Sequence, residues 1–265
     1  MRLASIASGS SGNCTYVGSD HTHILVDTGC SKKRIDEGLA KLSLTLSDIS
    51  AIFVTHEHTD HIAGLHTILK KYDIPVYATD GTIAGIRVSD RKGTMAGRFF
   101  ERVRADEPVE IGDLEINPMS ITHDAAEPVG YRIRCGSVRM AVATDMGCFS
   151  EYTVQALSGM DALLLEANHD VRMLQSGPYP YALKRRILSE QGHLSNEKSG
   201  ELLSRIMNDH IRGIILGHLS RENNLPELAT RAVQWEIEAG DNPYHGNDIP
   251  LTVAKRMELS DIIEV

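Results

Sequence analysis

Short apolar runs that end in an acidic or imidazole side chain recur along this chain, and they constrain its fold more than any other feature. His23-Ile24-Leu25-Val26 ends in Asp27, Ala51-Ile52-Phe53-Val54 in the run Thr55-His56-Glu57-His58-Thr59-Asp60-His61, and Met119-Ser120-Ile121-Thr122 in His123. The run 138–144 ends in Asp145, Leu163-Leu164-Leu165 in Glu166, and Ile214-Ile215-Leu216-Gly217 in His218. Apolar runs of this length read as buried strands. Strand ends on one edge of a sheet converge in space, so the polar groups that follow them gather there.

The gathered groups are neutral imidazoles and carboxylates, a donor set that suits Zn, Mn or Fe. Four such groups in the run 56–61 are too many for one face of one element. On a strand end turning into a helix, His56 and His58 can point to one ion and Asp60 and His61 to a second. His56, His58 and His123 then hold one ion, Asp60, His61 and His218 hold the other, and Asp145 bridges them, because a bridge needs two oxygens. Two cations about 4 Å apart generate a hydroxide and clamp the attacking and leaving oxygens.

Between these runs lie amphipathic helical patterns at 31–42, 62–69, 195–207 and 226–239, with Ser195 placed to cap one helix and Pro226 to open another. Further strands are expected at 75–78, 114–116, 119–121, 129–133, 138–143, 162–165 and 211–216, with a hairpin at Cys135-Gly136-Ser137. Strands with helices outside them give a layered α/β fold, read here as one domain over 1–265. The formal net charge of −9 argues against a whole-surface grip on nucleic acid but leaves room for a local basic patch. No apolar run approaches the roughly 20 residues of a membrane span. The four cysteines show no pairing pattern, which fits a reduced cytoplasm, with Cys30 and Cys148 read as small buried thiols.

The ordered set of Asp27, the His-x-His-x-Asp-His box at 56–61, His123, Asp145 and His218 resembles the metallo-β-lactamase superfamily. The resemblance spans most of the chain and implies a four-layer αββα sandwich with two divalent metals, Zn by default and Mn or Fe as alternatives, at one edge of the sheets. It further implies that Asp27 supports the histidine box without ligating metal. True β-lactamases tend to carry Cys where this chain has Asp145, and a bridging Asp is typical of hydrolases acting on phosphodiesters or thioesters. The iron redox branch typically has Glu at the position of His58.

Glu166-Ala167-Asn168-His169, Gly192-His193-Leu194-Ser195 and Gly217-His218-Leu219-Ser220 resemble the tRNA 3′-processing endonuclease branch. By that resemblance Glu166 orients and charges His193, and His193 protonates the leaving oxygen. The chemistry is sound unaided, since an alkoxide is a poor leaving group and a carboxylate neighbour favours a protonated imidazole. His169 is expected to support Glu166 or Asp145. The tokens Ala7 to Asn13, Glu166 to Asp170 and Gly217 to Asn224 resemble more finely the WalJ (YycJ-like) subgroup, regarded as 5′-to-3′ DNA exonuclease-like. Ser10, Ser11 and Asn13 in the Ser/Gly loop, with Arg221 and Asn223, are candidate substrate contacts. The loop reads equally as a tight turn.

Between Gly81 and Ala105, Arg87, Arg91, Lys92, Arg98, Arg102 and Arg104 stand against Asp90 and Glu101, with Phe99 and Phe100 among them. This segment, or Lys184-Arg185-Arg186, is either a single-strand-binding surface or a solvated helix face. The interval from Asp145 to His218 is too short for the extra domain of larger nucleases in the superfamily. The expectation is therefore a dinuclear-metal phosphodiesterase acting on nucleic acid ends, DNA above all. In it a metal-bridging hydroxide attacks phosphorus, and Asp60 counts among the catalytic groups with His193 and Glu166. Small or cyclic phosphodiesters and glyoxalase II-type thioesters are the rival substrates, and family behaviour carries the expectation of a homodimer.

Overall fold

The computed structural model describes residues 1–90 and 99–265. The described residues form two seven-stranded sheets. The first runs β14 (Ile263–Glu264), β1 (Arg2–Ala7), β2 (Cys14–Gly18), β3 (His23–Val26), β4 (Ala51–Phe53), β5 (Val76–Ala78), β6 (Phe100–Arg102). The second runs β13 (Leu251–Val253), β12 (Gly213–Gly217), β11 (Ala162–Glu166), β10 (Val138–Ala143), β9 (Val129–Cys135), β8 (Leu114–Ser120), β7 (Val109–Ile111). β3 to β6 pair in parallel, as do β10 to β13.

The apolar strands are buried on both faces, and their period of two assigns each residue to a different core. Ile24, Val26, Ala51 and Phe53 of the first sheet meet Met140, Val142, Ala162, Leu164 and Ile215 of the second in one central cluster. The alternate residues Leu25, Ile52 and Val54 face outward and join Ile35 and Leu39 of α1 (Lys32–Lys41), Leu65 and Ile68 beyond α2 (Thr59–Ile62) on α3 (Leu65–Leu69), and Ile83 and Ile86 of α4 (Asp80–Ser89). On the other side Ala141, Ala143, Leu163, Leu165, Ile214 and Leu216 join Leu157 of α5 (Glu151–Leu157). Leu202 and Leu203 of α8 (Asn196–Ile206) and Val233 and Ile237 of α9 (Pro226–Ala239) complete that outer core, while α6 (Val171–Ser176) and α7 (Tyr181–Ile187) precede α8 in the chain. The result is the expected αββα sandwich.

Local chemistry sets the boundaries. The Ser195 hydroxyl accepts the Lys198 amide at 3.3 Å to open α8, and Pro226 opens α9. The expected hairpin forms between Cys135 and Val138, with Gly136 at φ 59°. Two expectations are corrected. The runs 114–116 and 119–121 are one strand: Pro118 turns its carbonyl away from β9 to accept the Asp106 amide at 2.8 Å, so its missing N–H costs no ladder bond. The single helix over 62–69 is two short ones, because Gly64 donates to the Thr28 carbonyl at 2.8 Å and a Cβ there would meet the Cys30 carbonyl. Among the described residues no helix is long and apolar enough to cross a membrane.

The basic segment is also revised. Phe99 is buried at 6 % exposure, so its ring is closed to a base, and Phe100 packs half-buried against the same core. Arg102 pairs with Asp80 at 2.9 Å, and Arg91, Lys92 and Arg98 lie outside the described residues. Of the second basic run, Arg186 is bound through two nitrogens to Asp124, beside His123.

Candidate metal centre

The candidate site residues sit where parallel strands run out, the usual place for a site in a sheet of this kind. Asp27 follows β3, Asp145 closely follows β10, Glu166 ends β11 and His218 follows β12. Each of Asp27, Asp145 and His218 takes a left-handed backbone turn, with φ of 63°, 59° and 55°. In the histidine box, His56 and His58 occupy the loop after β4, with His58 at the N-cap of α2, while Asp60 and His61 sit in its first turn.

Four groups of side chains have donor atoms within 4.8 Å of one another: His56, His58 and His123; Asp60, His61 and His218; His56, His61 and Asp145; and Asp145, Glu166, His193 and His218. The first two sets and the shared Asp145 are the residues that the sequence pattern assigns to two ions. Four of the five box and strand-end histidines have Nδ1 tied to an outer oxygen. His61 donates to Asp27 Oδ2 at 2.7 Å, His123 to the Gly192 carbonyl at 3.1 Å, and His218 to Glu166 Oε1 at 3.0 Å, while His56 Nδ1 meets the Thr55 hydroxyl at 3.0 Å. Such outer partners fix the tautomer and leave Nε2 for a cation. His56 Nε2, His218 Nε2 and Asp145 Oδ2 are buried with no hydrogen-bond partner, which a cation held among them would satisfy. The residues present therefore fit divalent metal.

Asp27 belongs to none of these four groups. It accepts the Thr55 amide at 2.9 Å and the Thr55 hydroxyl, and so braces the box from below. The electrostatics follow from crowding. Burial alone would make His61 harder to protonate, but the charges of Asp27 and Asp145 push it well above the usual imidazole range. His218 is likewise buried, yet Asp145, Asp60 and Glu166 raise it to about 10. Burial and the neighbouring His61 charge hold His56 well below its usual range.

Glu166 is fully buried and ties the site together. Its Oε1 accepts from His193 Nδ1 at 2.8 Å and from His218; its Oε2 accepts the Met146 amide at 2.7 Å and the Leu194 amide at 3.2 Å. Burial would raise its carboxyl, but the charge and hydrogen bond of His193, with that of His218, hold it at about 2. His193 is thus anchored next to the cluster, its ring 5.1 Å from that of His123 and 5.2 Å from that of His218.

The outer sequence-named residues fare differently. Ser10 and Ser11 are exposed on a loop that touches the site through Ser8, whose hydroxyl accepts the His218 amide at 2.7 Å. Asn13 is instead buried: its Oδ1 accepts the Gly9 amide at 2.8 Å and its Nδ2 faces Asp60 Oδ2 at 3.3 Å and His61 Nε2 at 3.1 Å, so it shapes the ligand cluster. Arg221 is exposed, whereas Asn223 is fully buried and props its own loop through Ser220. His169 makes no hydrogen bond to Glu166 or Asp145; its Nδ1 faces Asn168 Oδ1 at 3.3 Å. Cys30 is buried as expected, but Cys148 is only half-buried. Sequence reasoning passed over Thr55, the Gly192 carbonyl and Asn168, whose Nδ2 holds the His218 carbonyl at 2.9 Å. Only adjacency to the box, to His193 and to the Glu166 segment marked them.

A family model described as a beta-lactamase superfamily domain matches residues 22–218. The chain is 38 % identical over 238 residues to the exodeoxyribonuclease YycJ of Bacillus anthracis, covering 90 % of this chain and 89 % of that protein. It is 38 % identical over 241 residues to the exodeoxyribonuclease WalJ of Streptococcus pneumoniae, covering 91 % and 90 %. Among solved structures, Zn(2+)-bound PqqB from Methylobacterium extorquens superposes with a TM-score of 0.70 at 20 % identity over the full length of both chains.

Proposed function

The chain belongs to the metallo-β-lactamase superfamily of metal-dependent hydrolases, and from that premise we propose that it is a dinuclear-metal phosphodiesterase that removes nucleotides from the 5′ end of DNA. In this reading His56, His58 and His123 hold one divalent cation, Asp60, His61 and His218 hold the other, and Asp145 spans both. Zn is the default occupant of such a set. The bound pair supplies an ionisable water near neutral pH and neutralises charge on the phosphoryl oxygens.

The observation that carries the reading is the 2.8 Å bond from His193 Nδ1 to buried Glu166 beside that cluster. A sugar alkoxide cannot leave unprotonated, so a phosphodiesterase needs a fixed acid, whereas a thiolate leaves without one. Glu166 keeps Nδ1 occupied and turns Nε2 of His193 outward to give its proton to the departing oxygen. Asp60 steadies His61 and His218 on the attacking side. The relatives named as exodeoxyribonucleases, matched over nine tenths of their length, support DNA as the polymer.

The test is digestion of 5′-labelled and 3′-labelled single- and double-stranded DNA, with matching RNA, by metal-stripped protein reloaded with Zn or Mn. Stepwise loss from the 5′ end of DNA is expected. Hydrolysis of a small diester without cleavage of any polymer would overturn the nuclease reading.

A further inference from the structure

Beside His193 lies a cavity of about 430 Å³ that none of the seven candidate metal ligands lines. Its walls include Phe149 on the loop after β10, His169 and Val171 at the start of α6, Leu188 after α7, and Ser195 before α8. His193 is the side chain it shares with the catalytic cluster. The volume lies toward the small end of the roughly 300–1,000 Å³ of small-molecule sites, which is room for one nucleoside rather than two.

His169 gives the cavity its chemistry. It is only 1 % exposed, and its Nε2 has no hydrogen-bond partner. The neighbouring amide fixes its tautomer. Asn168 donates Nδ2 to the His218 carbonyl, so the atom facing His169 Nδ1 is Asn168 Oδ1, and Nδ1 carries the proton. Nε2 is therefore an acceptor, and burial, which lowers this imidazole to about 4, keeps it neutral. An uncharged acceptor repels a phosphate, whose oxygens also accept, and takes an N–H or O–H. Phe149, Val171 and Leu188 offer apolar faces around it. Glu190 and Lys198 are exposed and add one charge of each sign to the wall, while the apolar faces beside the one buried, unpartnered acceptor match the face and donor edge of a nucleobase.

Resting on the function proposed above, we infer that this cavity holds the base of the single nucleotide released at each cleavage. Water adds its oxygen to phosphorus and gives up one proton to solvent, the P–O3′ bond breaks, O3′ takes the proton of His193, and solvent returns a proton to His193. The products are a free nucleotide with a 3′-hydroxyl and a strand one residue shorter with a 5′-phosphate. The departing sugar lies against His193, and its base is directed into the adjoining cavity. The cavity then limits each step to one residue and grips the leaving group.

The experiment is calorimetric binding of thymidine 5′-monophosphate and of 2-deoxyribose 5-phosphate to the metal-loaded protein, with DNA digestion run in parallel. The nucleotide is expected to bind at least about tenfold more tightly, the scale of base–aromatic stacking. Phe149→Ala, or Leu188→Glu at an exposed position that tolerates the change, is expected to reduce that preference to about threefold or less. Equal binding of the two ligands by the unaltered protein, or a preference kept in both variants, would overturn the inference. Base preference without DNA cleavage rejects the nuclease reading alone; DNA cleavage without base preference rejects the cavity assignment alone.

Discussion

Replacing His193 by alanine separates proton donation from every other function of the site. The seven proposed cation-binding side chains stay, and Glu166 keeps His218 and the Met146 and Leu194 amides. Turnover of DNA should fall by about 10²- to 10⁴-fold, the range for loss of a general acid, which at 1.36 kcal/mol per tenfold is roughly 3–5 kcal/mol of barrier. Glu166→Gln perturbs the same step more gently. It removes a charge-assisted bond of about 1.5–3 kcal/mol and forces its amide to set an N–H against either the two imidazoles or the two backbone amides. A loss of roughly 10- to 100-fold follows. The double variant should fall no further than His193→Ala alone, because the two side chains act as a unit. The assay compares single-turnover cleavage of DNA with that of bis-p-nitrophenyl phosphate, at matched metal content. A p-nitrophenolate leaves without a proton, so the small diester should lose little. Equal losses on both substrates would refute the acid role.

Asp145→Ala should retain at least one metal equivalent fewer by elemental analysis; full retention would remove Asp145 from the bridge. Because His218 sits at about 10 and His61 well above its usual range in the metal-free protein, both carry protons at pH 7 that a cation must displace. Metal loading should therefore release protons and weaken as pH falls, and calorimetry in buffers of contrasting ionisation enthalpy that finds no release would contradict this. Asp27→Ala frees His61 from its 2.7 Å tether and should weaken metal affinity by about 10- to 100-fold in competition with a chelator. Gly29→Ala would drive a Cβ into the Asp60 carbonyl and should destabilise the fold by about 1–3 kcal/mol in denaturant titration, with loss of metal.

Much of the site was legible because its groups are local or sit at strand ends. The histidine box lies in six consecutive residues, and a continuous apolar run announces its own terminus. Glu166 closes β11 and is legible for the same reason, whereas its pairing with His193 came from the resemblance of their motifs to the tRNA 3′-processing endonuclease branch. What escaped was set by long-range packing. Asn13 looks like any turn residue, yet the β1–β2 loop folds onto α2 and spends its amide on Asp60 and His61. Asn223 belongs to a polar run that reads as solvent-facing, but its side chain is enclosed. Phe99 sits among arginines, yet it directly precedes β6, which pairs with β5, and its ring is buried in the core. Strands as short as β6, β7, β13 and β14 carry too few residues to show a period at all.

The left-handed turns at Asp27, Asp145 and His218 set stability and activity against each other. A side chain with a Cβ pays of order 1 kcal/mol or more to hold such a turn, whereas glycine holds it freely. Heat-tolerant variants selected without regard to turnover should accumulate glycine at Asp145 and His218, each gaining resilience as it deletes a group the chemistry requires, but not at Asp27, whose loss would strand the buried Thr55 amide and hydroxyl. A library screened for both properties should keep all three unchanged and find its stabilising substitutions at the opposite ends of the strands.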